Sequence, residues 1–334
     1  MTKKLKAAVV GCRWGQNHMR GFAESEHTDL VAIWSRSDNP AYRQVAASYN
    51  VPFYTDLDCM LRETAPDVVS VATPEESHCE LAVSALQAGA HVYCEKVLAA
   101  SRDEALKMAA AAKTAGKQLN VGYNYRYSPS CRFLTEQVQA GAIGQPLFAM
   151  LRAFSCCIHH MTDYATSLLG APERVAAVIN NQLPEGRDEP LKPISFPTFV
   201  YTAMTSKAYM VQYQGGAVLL AAATDFSSAD SPGASLIMEG TEGRIELSDL
   251  SGEVTLYKAE APFKGDRLKT VYSPSQILDR IGLAENCISA VKSFAESMSK
   301  GDAAPIPAED GIKMVILEEC IKKAAESGQW ETVK

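Results

Sequence analysis

Between Asp67 and Leu98 the chain reads strand, helix, strand, and this unit limits the fold more than any other stretch. Asp67–Ala72 is apolar and rich in β-branched residues, the composition of a strand buried on both faces. Thr73-Pro74 stops it. Glu75–Gly89 then places Leu81, Val83, Ala85 and Leu86 at helical spacing, and Gly89 closes the helix. Ala90–Cys94 is a second short strand that ends on an adjacent acid and base, Glu95-Lys96. Strands joined through a helix belong to a parallel sheet with a right-handed crossover. Open sheets of this kind bind ligands beyond the carboxyl ends of their strands. Thr73-Pro74 and Glu95-Lys96 both fall there, where a charged pair serves chemistry better than core packing.

The same alternation runs from the start of the chain. Leu5–Val10 reads as a strand, Gly11-Cys-Arg-Trp-Gly15 as a turn, and residues from Gly15 to Glu26 as a helix. A glycine turn between a first strand and a first helix is where a dinucleotide pyrophosphate rests on backbone N–H groups and the positive helix end. Gly11, Arg13, Trp14 and Gly15 are therefore candidate cofactor contacts. The turn reads G-x-x-x-G, one residue shorter than G-x-G-x-x-G and without its middle glycine, so on its own it also suits a tight turn that needs glycine only for backbone shape. Asp29–Trp34 is a second strand, followed by Ser35-Arg36-Ser37. NAD sites usually carry an acid here for the ribose hydroxyls, whereas Ser35 and Arg36 suit a 2′-phosphate. NADP is expected, with NAD possible. Helices at Pro40–Tyr49, near Leu57–Thr64 and at Ser101–Gly116, with strands at Pro52–Tyr54 and Gln118–Gly122, complete a doubly wound parallel sheet.

Beyond Tyr123 the pattern changes. A helix at Pro129–Ala140, a strand at Pro146–Phe154, a helix at His159–Leu169 and a strand over 173–181 are followed by a proline-containing loop over 182–198. Strand-like runs broken by glycine fill Phe199–Tyr257, as in an antiparallel sheet with hairpins. Helices at Ile281–Ser299 and Glu309–Ser327 close the chain. The expected class is thus α/β followed by α+β, with a dinucleotide-binding domain over 1–123 and a substrate-binding and oligomerisation domain over 124–334. A length of 334 residues accords with two domains. A formal charge of -7 argues against a nucleic-acid partner. No apolar run is long enough to span a membrane, and the start lacks a signal-peptide pattern. Nine cysteines without framework spacing suit reduced thiols in the cytoplasm.

These segments resemble, in order, those of the glucose–fructose oxidoreductase and inositol dehydrogenase family, Gfo/Idh/MocA. The motifs are Ala72-Thr-Pro-Glu-Glu-Ser-His78, Ala88-Gly-Ala-His-Val-Tyr-Cys-Glu-Lys96 and Gly122-Tyr-Asn-Tyr-Arg-Tyr-Ser-Pro129. His160-Met-Thr-Asp163 with Leu168-Leu-Gly-Ala-Pro172, and Met238-Glu-Gly-Thr-Glu-Gly243, complete the set. The resemblance implies an N-terminal Rossmann domain, a C-terminal open-faced mixed sheet, and a homodimer or homotetramer paired through that sheet. It also implies hydride transfer between a nicotinamide and a sugar, polyol or related small molecule.

Glu95-Lys96 matches the family's E-K-P motif, with Val97 in place of proline. By that match Lys96 contacts cofactor ribose and substrate and polarises the reacting oxygen, a role that suits an ammonium in a dry cleft. His160 matches the catalytic histidine, suited to proton transfer by its near-neutral pKa, and Asp163 shares its helix face. Four residues before His160, where sugar-oxidising members commonly carry aspartate, this chain has Cys156. Arg126 matches an arginine near the nicotinamide or substrate, with Tyr123 and Asn124 beside it; Thr73, Pro74, His78 and Glu95 are implied at the cofactor. Cys156, Cys157, His159 and His160 are zinc-type ligands. However, adjacent cysteines on a strand point in opposite directions and no second C-x-x-C completes four ligands, so no metal is expected. Two alternatives share the scaffold: a cofactor-binding sensor without turnover, and a redox-neutral lyase or glycosidase with tightly held NAD.

Overall fold

The computed structural model describes residues 3–181, 194–195, 200–201, 206–224, 234–250, 252–259, 267–272 and 283–334. In chain order the first elements are β1 (Leu5–Val10), α1 (Gly15–Glu24), β2 (Thr28–Trp34), α2 (Pro40–Ser48), β3 (Phe53–Tyr54) and α3 (Leu57–Thr64). Then come β4 (Val68–Val71), α4 (His78–Gln87), β5 (His91–Cys94), α5 (Arg102–Ala115) and β6 (Leu119–Val121). They are followed by α6 (Pro129–Gln139), β7 (Pro146–Ala153), α7 (Ile158–Leu169), β8 (Pro172–Asn180), and the short β9 (Ile194–Ser195) and β10 (Val200–Tyr201). Next are β11 (Ser206–Tyr213), β12 (Val218–Thr224), β13 (Ala234–Gly240), β14 (Gly243–Leu247), β15 (Val254–Ala259) and β16 (Arg267–Tyr272). The chain ends with α8 (Leu283–Lys300), α9 (Ala308–Ser327) and β17 (Glu331–Thr332). Most of the loop expected over 182–198 lies outside the described residues, apart from β9.

Two compact units result: Met1–Asn124 with Leu283–Val315, and Tyr125–Gly282 with Ile316–Lys334. In the first, six parallel strands lie in the order β3-β2-β1-β4-β5-β6. This is the doubly wound order, whose direction reverses between β1 and β4 and opens a ligand crevice beyond their carboxyl ends. Residues Val68–Val71 of β4 are buried throughout, as two covered faces require. Helix α8 belongs to this unit because α1 admits it closely: a Cβ on Gly21 would lie 2.8 Å from Val291. Met19, Phe22 and Phe294 are fully buried in the unit, each worth about 1.5–3 kcal/mol of hydrophobic stabilisation.

The second unit is built on a nine-stranded sheet ordered β16-β15-β14-β13-β7-β12-β11-β8-β17. It is antiparallel except between β12 and β7, which matches the mostly antiparallel sheet expected. One face is covered by α7, where Thr162 bonds the Tyr209 hydroxyl and Thr166 bonds that of Tyr213 at 2.9 Å. On the opposite face Ile237, Met150, Leu220, Met210 and Ala176 stand side by side across five strands. Met150, Leu220 and Met210 are exposed there, and Val178 beyond them is 70% exposed. Among the described residues no helix is long and apolar enough to cross a membrane.

Candidate functional site

The glycine turn is shaped for close approach. Gly11 has φ +110°, and a Cβ there would fall 2.3 Å from the Ala72 carbonyl oxygen at the end of β4. Only glycine fits that conformation and that gap. Gly15 opens α1 against β1, where a Cβ would meet Val9 at 3.2 Å. The first turn of α1 carries no acidic residue, so its amide end retains its attraction for an anion. These features fit the pyrophosphate of a dinucleotide even without the middle glycine; Gly11 and Gly15 supply the turn and the helix–strand contact, and Cys12 is buried with its thiol 3.7 Å from the Trp34 carbonyl oxygen.

At the end of β2, Ser35 is buried and Arg36 is exposed. The nearby carboxylate of Asp38 is held by Arg43 through two bonds of 2.5 and 2.8 Å, which keep the carboxyl below its usual range.

The end of β5 is organised by Glu95, which is 6% exposed. The Trp14 indole N–H donates to Glu95 Oε1 at 3.1 Å and His18 Nε2 lies 3.0 Å from the same oxygen. The Lys96 amide donates to Oε2 at 3.2 Å. Burial pushes this carboxyl up, but the His18 bond, the neighbouring positive charge and the Lys96 amide outweigh it, so the group sits below its ordinary value. Cys287 of α8 closes the cluster, its thiol pushed up by burial. The ligand atoms of His18, Glu95 and Cys287 all lie within 4.8 Å of one another; a bond to Glu95 accounts for His18. Glu95 is thus engaged by the protein's own donors rather than turned to a ligand. The ammonium of Lys96 makes no ion pair among the described residues, and the residue is half-buried at the strand end. The Lys96–Val97 peptide is cis.

His78, a candidate cofactor contact by sequence, is buried with Nε2 2.8 Å from the Thr73 carbonyl and Nδ1 2.9 Å from the Val97 carbonyl. It joins the loops at the ends of β4 and β5. Thr73 Oγ1 accepts from Ser77, and Pro74 precedes the short turn into α4. Tyr123 is fully buried and Asn124 nearly so.

In the second unit, Arg126 grips Asp163 through paired bonds of 2.7 and 2.6 Å, with the aspartate 1% exposed. The two are partners of each other, and a bidentate arginine–carboxylate pair fixes the middle of α7 to the turn before α6. His160, 5% exposed, stacks on Tyr125 with ring centroids 4.3 Å apart and planes 12° from parallel. The segment before α7 corrects one expectation. β7 ends at Ala153 and Ser155–Cys157 form a turn, not a strand, because α7 already begins at Ile158. The Cys156 and Cys157 sulfurs consequently lie 3.5 Å apart instead of pointing in opposite directions.

Sequence reading missed His18 and Cys287. His18 stands beside Met19 on α1 and is itself fully buried; a polar residue on an apolar helix face was the available signal. Cys287 gave none, since its neighbours come from the other end of the chain.

Residues 5–123 match the GFO_IDH_MocA family, described as an oxidoreductase family with an NAD-binding Rossmann fold. Levoglucosan dehydrogenase of Pseudarthrobacter phenanthrenivorans is 25% identical over 319 residues, with 80% of each chain covered. D-glucoside 3-dehydrogenase of Escherichia coli is 30% identical over 155 residues, covering 46% of this chain and 44% of its own. The chain therefore spans four fifths of one relative and under half of the other. A solved structure of levoglucosan dehydrogenase in complex with NADH and levoglucosan superposes with a TM-score of 0.83 at 21% identity, covering 99% of this chain and 100% of the other. The glycine turn and the strand order agree with these likenesses: residues 5–123 belong to the GFO_IDH_MocA oxidoreductase family with its NAD-binding Rossmann fold.

Proposed function

We propose that this protein transfers hydride between a nicotinamide cofactor and a hydroxyl or carbonyl carbon of a sugar, polyol or related small molecule. The observation that carries the reading is Lys96: a half-buried ammonium at the carboxyl end of β5, its amide fixed by the buried Glu95 carboxylate. An ammonium so placed stabilises the oxygen on which negative charge develops as hydride leaves or arrives. His160, whose ring is stacked on Tyr125, is the candidate for proton transfer in the second unit. The bound nicotinamide supplies the two-electron acceptor or donor. The Gly11–Gly15 turn, with Arg13 and Trp14, holds the pyrophosphate; Thr73 and Pro74 border the crevice; Cys156 lies on the substrate side. The named activities of the relatives, on levoglucosan and on a D-glucoside, support a carbohydrate substrate. Lys96→Ala is expected to lower turnover by about 10²-fold or more while cofactor affinity, measured by fluorescence titration, changes far less. An unimpaired rate would remove Lys96 from the chemistry.

NADP is the preferred cofactor in this reading. Arg36 is exposed at the end of β2, and the nearest following acid, Asp38, is engaged by Arg43. Titrating Arg36→Asp with both cofactors should show NADP affinity falling much more than NAD affinity. Equal losses would refute the preference.

The open face of the second unit's sheet supports a homodimer or homotetramer. A contiguous row of exposed Met150, Leu220 and Met210 is the kind of apolar surface that a second copy covers. Light scattering is expected to give a dimer or tetramer for the native chain and a smaller species for a Met210→Asp, Leu220→Asp double variant. A monomeric native chain would contradict this.

A further inference from the structure

The turn before α7 sets two thiols side by side at the start of a twelve-residue helix. Cys156 is half-buried and Cys157 is 9% exposed. Helix N-termini favour the thiolate, the form that binds soft electrophiles. The Tyr125 hydroxyl hydrogen-bonds the Cys157 sulfur, and the Tyr125 ring is the one stacked on His160. The pair is thus both reachable from solvent and joined, through one side chain, to the histidine.

We propose that Cys156 and Cys157 form a bidentate dithiol site for a soft thiophilic centre of the trivalent organoarsenical kind, one that brings its remaining ligand with it. The sulfur separation selects the class. Two sulfurs about 2.3 Å from a shared soft centre and 3.5 Å apart subtend an angle of about 100°, which suits a pyramidal centre. A linear two-coordinate centre needs the sulfurs about 4.6 Å apart at the same bond length. A disulfide needs them at about 2.05 Å, and the Cα atoms of adjacent residues, about 3.8 Å apart, fall short of the usual disulfide span. A structural zinc needs four protein ligands, and among the described residues the one cluster of three or more metal-type ligands is that of His18, Glu95 and Cys287.

The reaction balances without electron transfer. An arsenoxide As=O bond breaks, two As–S bonds form, and the oxygen leaves as water with the two thiol protons. Arsenic stays trivalent.

The test uses the full native chain and one equivalent of phenylarsine oxide, read by intact mass and by counting reactive thiols. One adduct per chain is expected, with two thiols lost; the adduct survives excess 2-mercaptoethanol and is removed by 2,3-dimercaptopropanol. Cys156→Ser and Cys157→Ser should each abolish the monothiol-resistant adduct. If Cys157→Ser does not fold, the half-buried Cys156→Ser decides alone. An adduct stripped by monothiol, one retained by Cys156→Ser, no adduct, or a Cys156–Cys157 disulfide in its place would overturn the assignment. None of these readouts depends on turnover, so failure here and failure of the hydride-transfer reading are separable.

Discussion

The carboxylate of Glu95 is the contact on which the first unit's crevice depends. One oxygen takes the indole of Trp14 from the glycine turn and the imidazole of His18 from α1; the other takes the amide of Lys96. The glycine turn with α1 and the end of β5, far apart in sequence, are thereby tied to one buried charge. An unpartnered carboxylate at that depth would cost several kcal/mol, so the bonds are what allow it to be there ionised. The ionised group in turn gives the turn and the strand end a common anchor. His78 makes a second, parallel tie, its two ring nitrogens facing the carbonyls of Thr73 and Val97. The loops after β4 and β5 are therefore tied from inside.

The second unit uses the same device on a smaller scale. The buried Asp163 is neutralised by the fork of Arg126, which pins α7 and with it His160. Tyr125 adds a flat surface against the imidazole. Side chains keep a fixed geometry when packing and hydrogen bonds settle their positions, and beside Lys96 and beside His160 the settling is done by a buried charge-assisted bond or ion pair.

Much of this was legible in the sequence, for physical reasons. Val68–Val71 could only be a doubly covered strand, and the strand–helix–strand spacing around it fixed a parallel sheet. Gly11 and Gly15 marked a turn whose backbone needs the absence of a Cβ, and Lys96 was placed by the strand before it. Long-range pairings were not legible. Trp14 and His18 reach Glu95 across 81 and 77 positions, and α8 joins the N-terminal unit although it follows the whole second sheet. Pairing Arg126 with Asp163, rather than offering both to substrate, required the turn of chain before α6. The Cys156–Cys157 geometry hinged on where β7 stops: continued through Cys157, the strand would have turned the sulfurs apart.

The central claim, that an ionised Glu95 holds the crevice together, is tested most directly by thermal unfolding of the native chain and Glu95→Gln across pH. The amide keeps the shape and removes the charge. Because the folded carboxyl lies below its ordinary value, its stabilisation is full above the unfolded value of about 4.3 and is lost as pH falls through the lower folded one. The account predicts Glu95→Gln less stable by about 2 kcal/mol near pH 7, with the gap narrowing below about pH 4.3. Equal stabilities at pH 7, or a gap that does not change on acidification, would contradict it.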